Sequence, residues 1–306
     1  MELSSFLSII QGILEQGFIY GIVALGIYIT YHILDFPDLS VDGTFPLGSA
    51  VTAVLLIHGV NPWLTILISF LAGACAGFLT GFFHVVLKIK DLLAGIITMT
   101  GLYSINLMIT GYSPLLQIGD AKTIFNSGFL ANLSNSFGVW KTFILIFLNT
   151  IVIKLFLDWY FKTKSGFLLR AAGDNENMIT MLAQDKGKVK IIGLMLCNGL
   201  SATAGSVLCQ QQRYFDSNSG TGMLVMGLAS VIIGMTLLGK LAKIKGTTMV
   251  IFGAVLYKAC IAVALNLRIN PNNLKLIMAI IFLIALVSKD LFRKGGKQHA
   301  SSDSHL

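Results

Sequence analysis

The stretch WLTILISFLAGACAGFLTGFFHVVL, residues 63–87, contains no Asp, Glu, Lys or Arg. A helix needs about 20 mostly apolar residues to cross a bilayer core roughly 30 Å thick, and this stretch is long enough. Comparable apolar runs lie on both sides of it, at approximately 9–30, 45–57, 92–110, 141–160, 189–210, 222–238, 247–266 and 275–288. The sequence therefore predicts an all-α fold, a polytopic transmembrane helix bundle of about nine hydrophobic segments.

The composition leaves little room for a soluble domain. Of the 306 residues 55% are hydrophobic and 12% charged, and the mean hydropathy is +0.79; soluble domains carry about 25% charged residues. The first five residues lack the basic region of a signal peptide, so we expect the first apolar run to be retained. We divide the chain into a transmembrane domain, residues 1–290, and a polar cytoplasmic tail, residues 291–306.

The net charge of +8 comes mainly from four basic clusters between the apolar runs, at 88–90, 162–190, 240–245 and 289–297. Lys and Arg accumulate in cytoplasmic loops of membrane proteins, so we predict that all four clusters face the cytoplasm. If the segment 45–57 crosses the membrane, the N-terminus lies outside. If this segment only re-enters, the N-terminus lies inside, and we favour nine crossings.

The second segment, residues 36–57, is predicted to be broken or partly re-entrant. The stretch 35–46 carries two prolines and three carboxylates, and irregular backbone at membrane depth needs a lining of protein or water. Carboxylates there usually face a cavity or a partner. We therefore assign Asp38, Ser40, Asp42 and Phe45 to a substrate pathway. In the alternative reading, Asp42 caps a half-helix that begins near Phe45.

Two other features bear on packing and on the pathway. Gly73, Gly77 and Gly81 recur at a spacing that lets helices approach closely, and Gly17 repeats this spacing with Gly21; we favour packing within the chain over a dimer interface. Residues 210–212 are three glutamines at a helix end. They either line an outer vestibule or meet headgroup water, and Gln211 is a pathway candidate.

The longest basic loop, residues 161–188, contains a short amphipathic pattern. Met178, Ile179 and Leu182 form an apolar stripe at helical spacing, and Asp174 or Asn175 can cap the helix. A helix of about ten residues is not stable alone in water, so we expect residues 174–184 to dock on a partner or on lipid.

No catalytic motif is present. The stretch from Gly234 to Lys240 fits the first seven positions of a phosphate-binding loop, but Leu241 replaces the hydroxyl residue that holds magnesium. The five histidines form no regular pair, and the four cysteines, spaced singly, are expected to be buried and inert. We expect neither enzymatic activity nor a cofactor nor a metal.

The loop and the break together resemble permease subunits of ABC importers of the branched-chain amino acid/ribose type. That family has a Gly-x-x-x-Arg-Ala-x-Gly-x-Asn stretch before its coupling helix, and Gly166, Arg170, Ala171, Gly173 and Asn175 match it. Residues 38–43 are similar to an Asp-Leu-Ser-Val-Gly stretch of the sugar branch, with one additional residue. The similarity to the family as a whole is collinear from about Gln16 to Lys289. Residues 36–48 are similar to a subgroup linked to aromatic amino acid uptake.

The resemblance implies a non-catalytic permease subunit of the bacterial plasma membrane that dimerises around a central pathway. It implies a pair of cytoplasmic ATP-binding subunits, an extracytoplasmic substrate-binding protein and a small solute, most simply an amino acid. The residues implied in ATPase coupling are Gly166, Arg170, Gly173, Asp174, Asn175, Met178 and Leu182. This chain departs from the family pattern in its longer, more basic turn at 239–245 and in lacking the first span of the sugar-type relatives.

Two other readings remain open at this level. An ion-coupled secondary transporter would need a charged residue deep in a span, and Lys258 and Glu15 are the candidates, both within snorkelling reach of an interface. An ABC importer for a sugar or nucleoside fits the same family pattern.

Overall fold

The computed structural model describes residues 3–127, 140–174, 185–239 and 244–266, and helical residues within 276–287. The helices are α1 (Leu3–Ile27), α2 (Val41–Ile57), α3 (Pro62–Val85), α4 (Asp91–Ile109), α5 (Trp140–Tyr160), α6 (Lys164–Asp174), α7 (Lys186–Gln212), α8 (Met223–Leu238) and α9 (Gly246–Asn266). A π-helical segment, Tyr28–Ile33, continues α1, and two three-residue strands are β1 (Leu115–Gln117) and β2 (Tyr214–Asp216).

Six of the helices in the described ranges are long and apolar enough to cross a membrane, and α2 and α8 are shorter apolar helices. These confirm a polytopic helical membrane protein. The segment 275–288 is helical wherever it is described, and the number of nine crossings stays a prediction.

Helix α7 forms the centre of the bundle and packs against α1, α2 and α3. The α3 glycines make a close contact with α7, because Gly73 faces the backbone of Asn198 and Gly77 that of Leu194. A Cβ atom at either glycine would overlap the α7 carbonyl oxygen, so only glycine permits this helix separation. The predicted packing of these glycines within the chain is confirmed.

The outer helices expose large apolar side chains. On α3 and α5, Leu67, Leu71, Val152 and Leu155 are each more than half exposed. A soluble protein rarely exposes apolar patches of this kind. These surfaces suit the hydrocarbon of a bilayer, while the buried faces of the same helices meet the core.

The charged side chains separate towards the two ends of the bundle. Antiparallel packing of α3 and α7 brings Val85 beside Gly187, and the loops after α3, α5 and α8 lie at that same end. We call it the basic end; it carries Lys88, Lys90, Lys162, Lys164, Arg170, Lys186, Lys188, Lys190 and Lys245. Helix α1 starts at the opposite end, since Glu15 contacts Gln211 near the end of α7.

The opposite end carries an antiparallel β-ladder that the sequence did not predict. Leu115 pairs with Asp216 and Gln117 with Tyr214. Arg213 takes a left-handed conformation, φ 63°, which turns the chain from α7 into β2. The buried Gln210 side chain accepts a hydrogen bond from the Ile124 amide (2.9 Å) and donates to the Pro62 carbonyl (3.2 Å), so it joins α7, α3 and the loop after β1.

The structure corrects three predictions. Helix α2 begins at Val41, not near Phe45, because Pro46 is accommodated early in the helix. Residues 164–174, read as loop, form α6, whose Leu169 is fully buried, and Asp174 is its last residue. Cys75 and Cys260 are exposed, not buried, whereas Cys197 and Cys209 are buried as expected.

Candidate functional site

The candidate site begins where α1 stops being a regular α-helix. After the π-helical turn, Asp35 adopts a left-handed conformation, φ 51°, and the Phe36 amide donates to the Thr30 carbonyl at 2.8 Å. The chain therefore reverses beside Leu34, which contacts α7 at Gly193. This reversal returns residues 37–40 to the interior, where α2 starts alongside the middle of α7.

Asp38 lies at the centre of a polar cluster that has no access to solvent. Its Oδ1 accepts hydrogen bonds from the Ser40 amide (2.9 Å) and hydroxyl (2.6 Å), and its Oδ2 accepts one from Asn198 Nδ2 (2.7 Å). Thr44 Oγ1 donates to Asn198 Oδ1 at 2.9 Å. We call Asp38, Ser40, Thr44 and Asn198 the central cluster. All four residues are 0% exposed, and the described donors to the carboxylate are all neutral.

Asp42 connects the start of α2 to the start of α8. Its carboxylate accepts hydrogen bonds from the amides of Gly222 (2.9 Å) and Leu224 (2.8 Å). These are backbone donors that the first turn of a helix leaves unpaired, and a carboxylate there also complements the helix dipole. The prediction that Asp42 caps its own half-helix is wrong: Asp42 lies within the first turn of α2 and caps α8 instead.

Pro46 adds a second link between α2 and the loop before α8. Proline has no backbone N–H, so the Asp42 carbonyl lacks its normal helical donor. Gly220 packs directly against this carbonyl and against the Pro46 ring. A Cβ atom at position 220 would overlap the carbonyl oxygen, so the approach requires glycine. The N-terminal ends of α2 and α8 therefore meet inside the bundle.

The remaining pathway candidates lie between this junction and the opposite end. Phe45 is fully buried and stacks on Tyr20, with ring centroids 6.0 Å apart. The Lys258 ammonium lies 3.6 Å from the centroid of the same Tyr20 ring. Gln211 donates to the Glu15 carboxylate at 2.7 Å, and Glu15 is only 8% exposed, so this carboxylate is packed rather than snorkelling.

Two cavities open towards that end. One of 170 Å³ lies immediately beyond the junction, and the Ser219 hydroxyl at its edge is buried without a hydrogen-bond partner in the described structure. It is lined by Tyr20, Ser49, Leu208, Cys209, Gln212, Tyr214, Asp216 and Ser219. A larger cavity of 730 Å³ lies between the α2–α3 connection and residues 118–127.

The residues implied in ATPase coupling fall on α6 and beyond it. Gly166 packs on the Tyr160 carbonyl, and Gly173 packs on the Ile33 carbonyl at the end of the π-helical segment. The Arg170 guanidinium lies 4.9 Å from the centroid of the Phe161 ring. Asn175, Met178 and Leu182 lie outside the described residues. Helix α6 thus contacts the same reversal that carries Asp38.

Sequence reasoning found Asp38, Ser40 and Asp42 but missed their partners. Asn198 is a side-chain amide in the middle of the long apolar run 189–210, and this position within a span is the signal that could have identified it. Gly222 and Leu224 contribute only backbone amides, for which the sequence has no side-chain signal.

Among the described residues no group of three or more His, Cys, Asp or Glu side chains could hold a metal ion. The buried carboxylates, hydroxyls and amide can bind polar groups or change partners when helices move, which is the kind of lining that a transport pathway requires.

Comparisons with known proteins show the family of this chain. The family model described as "Branched-chain amino acid transport system / permease component" matches residues 9–287. The chain belongs to this family. The permease is 40% identical over 284 residues to the tyrosine transport system permease protein of Clostridioides difficile, covering 92% of each chain. It is 27% identical over 241 residues to the ribose import permease protein of Escherichia coli K12, covering 77% of this chain and 72% of that protein.

Among solved structures, PsaBC from Streptococcus pneumoniae in complex with Fab is similar in fold, with a TM-score of 0.52 and 15% identity over 90% of each chain. Family membership makes this chain an ABC importer permease, a multi-pass protein of the bacterial plasma membrane. It thereby excludes the reading as an ion-coupled secondary transporter.

Proposed function

We propose that this permease imports an amino acid, and specifically an aromatic one. The observation that carries the proposal is the 40% identity to a tyrosine transport permease over 92% of both chains. The ribose import permease is more distant, at 27% identity, and matches a smaller share of this chain. Uptake of a sugar is therefore the second candidate.

The proposed pathway passes the junction of α2 and α8. In support, the segment 34–40 is irregular and α2 starts beside the middle of α7, as a broken second segment requires. Asp38, Ser40 and Phe45 are buried in this conformation, and Asp42 is half-buried. Gln211 lies nearer the opposite end. We infer that the junction opens in another state of the transport cycle. Helices α2 and α8 join there through hydrogen bonds from backbone amides to Asp42, and such bonds can change partners when the helices move.

We further propose that the basic end faces the cytoplasm, which places the N-terminus outside if nine segments cross. The shared location of the described Lys and Arg residues supports this orientation. A cysteine introduced at Ser165, on α6, should resist a membrane-impermeant thiol reagent in intact cells and react in inverted vesicles. The exposed native Cys75 and Cys260 are first replaced by alanine. Reaction from outside intact cells would reverse the topology.

The proposed partners are a pair of cytoplasmic ATP-binding subunits, an extracytoplasmic substrate-binding protein and a second copy of the permease. Residues 174–184 are proposed to dock on the ATPase through their apolar stripe, since burial of each such side chain contributes on the order of 1.5–3 kcal/mol. Replacing Met178 and Leu182 with Asp should abolish co-purification of the ATPase while membrane insertion stays normal. Full association and uptake in this variant would contradict docking.

The substrate is tested by reconstituting the permease in proteoliposomes with the ATPase and binding protein encoded beside it. We expect ATP-dependent uptake of labelled tyrosine or phenylalanine, and no uptake of ribose. Leucine serves as the control for an amino acid without an aromatic ring. Uptake of ribose alone would overturn the amino acid assignment, and preference for leucine would overturn the aromatic one.

A further inference from the structure

A separate cavity of 290 Å³ lies at the basic end, away from the junction. It is enclosed by the π-helical segment, the end of α5, α6 and the start of α9. Its lining residues are Tyr28, Asp158, Phe161, Lys162, Arg170, Lys245, Gly246 and Thr247. Three of these carry a positive charge and one a negative charge.

The negative charge in this cavity is already neutralised. Asp158 Oδ2 lies 2.9 Å from Lys245 Nζ and 3.3 Å from Lys154 Nζ. Asp158 Oδ1 accepts a hydrogen bond of 2.7 Å from Thr247 Oγ1. The carboxylate therefore has both oxygens occupied.

The remaining positive charges are available to a ligand. Lys162 and Arg170 are exposed, and neither takes part in an ion pair with another described residue. Arg170 is held in place by its contact with the Phe161 ring. A guanidinium and an ammonium that line the same cavity are groups that bind phosphate, one by its planar fork and the other as a point charge.

The position of the cavity in the bilayer indicates the source of the phosphate. On α5, which contributes Asp158 to the cavity lining, Leu155, Phe156 and Trp159 are strongly exposed. Tryptophan concentrates at the level of the headgroups, whereas Leu and Phe suit the acyl chains below. The cavity is therefore located where the headgroups of the adjoining leaflet lie, with apolar surface directly beneath it.

We propose that this cavity binds the phosphate group of an anionic phospholipid, with Lys162 and Arg170 holding the phosphate and the exposed face of α5 supporting the acyl chains. Basic pockets between transmembrane helices can bind anionic headgroups in this way. Because α6 carries Arg170, a bound lipid would stabilise the segment that leads into residues 174–184. The proposal does not depend on which solute is transported.

The test measures lipid binding to the full-length permease in nanodiscs of phosphatidylcholine containing a small fraction of labelled phosphatidylglycerol. We expect enrichment of phosphatidylglycerol around the wild type. Lys162→Gln should weaken this enrichment about five-fold, since one lysine near an anionic surface contributes about 1 kcal/mol. Lys164→Gln is the matched control, because Lys164 is exposed at the same end but does not line the cavity.

A second arm distinguishes a lipid from a soluble anion. Inorganic phosphate is titrated against the permease in pure phosphatidylcholine nanodiscs. Saturable phosphate binding that Lys162→Gln weakens, without enrichment of phosphatidylglycerol, would overturn the lipid assignment. Equal enrichment in the wild type, Lys162→Gln and Lys164→Gln would overturn the site itself.

Discussion

Two buried carboxylates, Asp38 in the middle of the bundle and Asp158 at the basic end, are bound by different kinds of partner. In the central cluster, Asp38 has no cation beside it among the residues that the structure describes, and it is held by a hydroxyl, a backbone amide and the Asn198 side chain. At the basic end, Asp158 is held by two lysines and a threonine. The Lys245 side chain there is 58% exposed.

This difference determines how much each site depends on any one contact. A buried carboxylate without a counter-ion relies entirely on its hydrogen bonds, so loss of one leaves charge uncompensated in a medium of low dielectric constant. Asp158 depends less on its contact with Lys245, because Lys154 and Thr247 also hold the carboxylate and water can replace the exposed lysine. We infer that the central cluster is sensitive to substitution, whereas the site at the basic end tolerates it.

The largest effect is expected at Asn198. Asn198→Leu removes the donor to Asp38 Oδ2 at nearly constant volume. It should lower the free energy of unfolding by about 1.5–3 kcal/mol, the range for a hydrogen bond to a charged group. Ser206→Ala is the control on the same helix. It removes a neutral interhelical hydrogen bond to Thr52 and should cost about 0.6 kcal/mol.

Denaturant titration of the purified permease gives both values. Equal losses for the two variants would show that the Asp38 charge does not depend on Asn198, and the contrast between the two carboxylate sites would disappear.

An intermediate effect is expected at Asp42. Asp42→Ala removes the cap of α8 and should cost about 0.5–2 kcal/mol, as for other helix caps. Asp42→Asn keeps one acceptor oxygen and should cost less. If Asp42 also belongs to the pathway, Asp42→Asn lowers uptake while basal ATPase activity and assembly stay near wild type. Normal uptake with lowered thermal stability would make Asp42 a cap only.

The smallest effect is expected at Lys245. Lys245→Gln leaves Asp158 bonded to Lys154 and Thr247, and it should change the free energy of unfolding by no more than about 1 kcal/mol. The change should shrink further in high salt, because salt screens exposed charges. A loss as large as that of Asn198→Leu, unaffected by salt, would show that Asp158 depends on one contact as strongly as Asp38 does.

Much of the fold could be predicted because membrane spans are specified by composition over about 20 residues. The glycine spacing on α3 was sufficient to predict close packing, and Asp38 and Asp42 were detectable as carboxylates within an apolar region. What the sequence left open depends on contacts between distant segments. The α8 cap joins Asp42 to backbone amides some 180 residues away, and no local pattern encodes that pairing.

The start of α2 and the presence of α6 were missed for local reasons. Pro46 suggested a helix boundary, but Gly220 accommodates the free carbonyl that proline creates. The α6 sequence contains Gly166 and Gly173, which usually indicate a loop, yet both glycines serve close contacts with the backbone of neighbouring segments.

The central claim is that the junction of α2 and α8 opens during transport rather than serving as fixed scaffold. Thr44→Cys places a thiol in the central cluster, where Thr44 is 0% exposed, in a background with Cys75 and Cys260 replaced by alanine. The control is Thr203→Cys, on α7, whose native hydroxyl bonds only within its own helix.

The measurement is the rate at which a small, water-soluble thiol reagent modifies the Thr44→Cys variant in the reconstituted importer, at rest and with the ATPase trapped in its ATP-bound state. The account predicts that the thiol at position 44 is protected in one state and reacts in the other, while the thiol at position 203 stays protected in both. Protection at position 44 in both states, in an importer that transports its substrate, would contradict it.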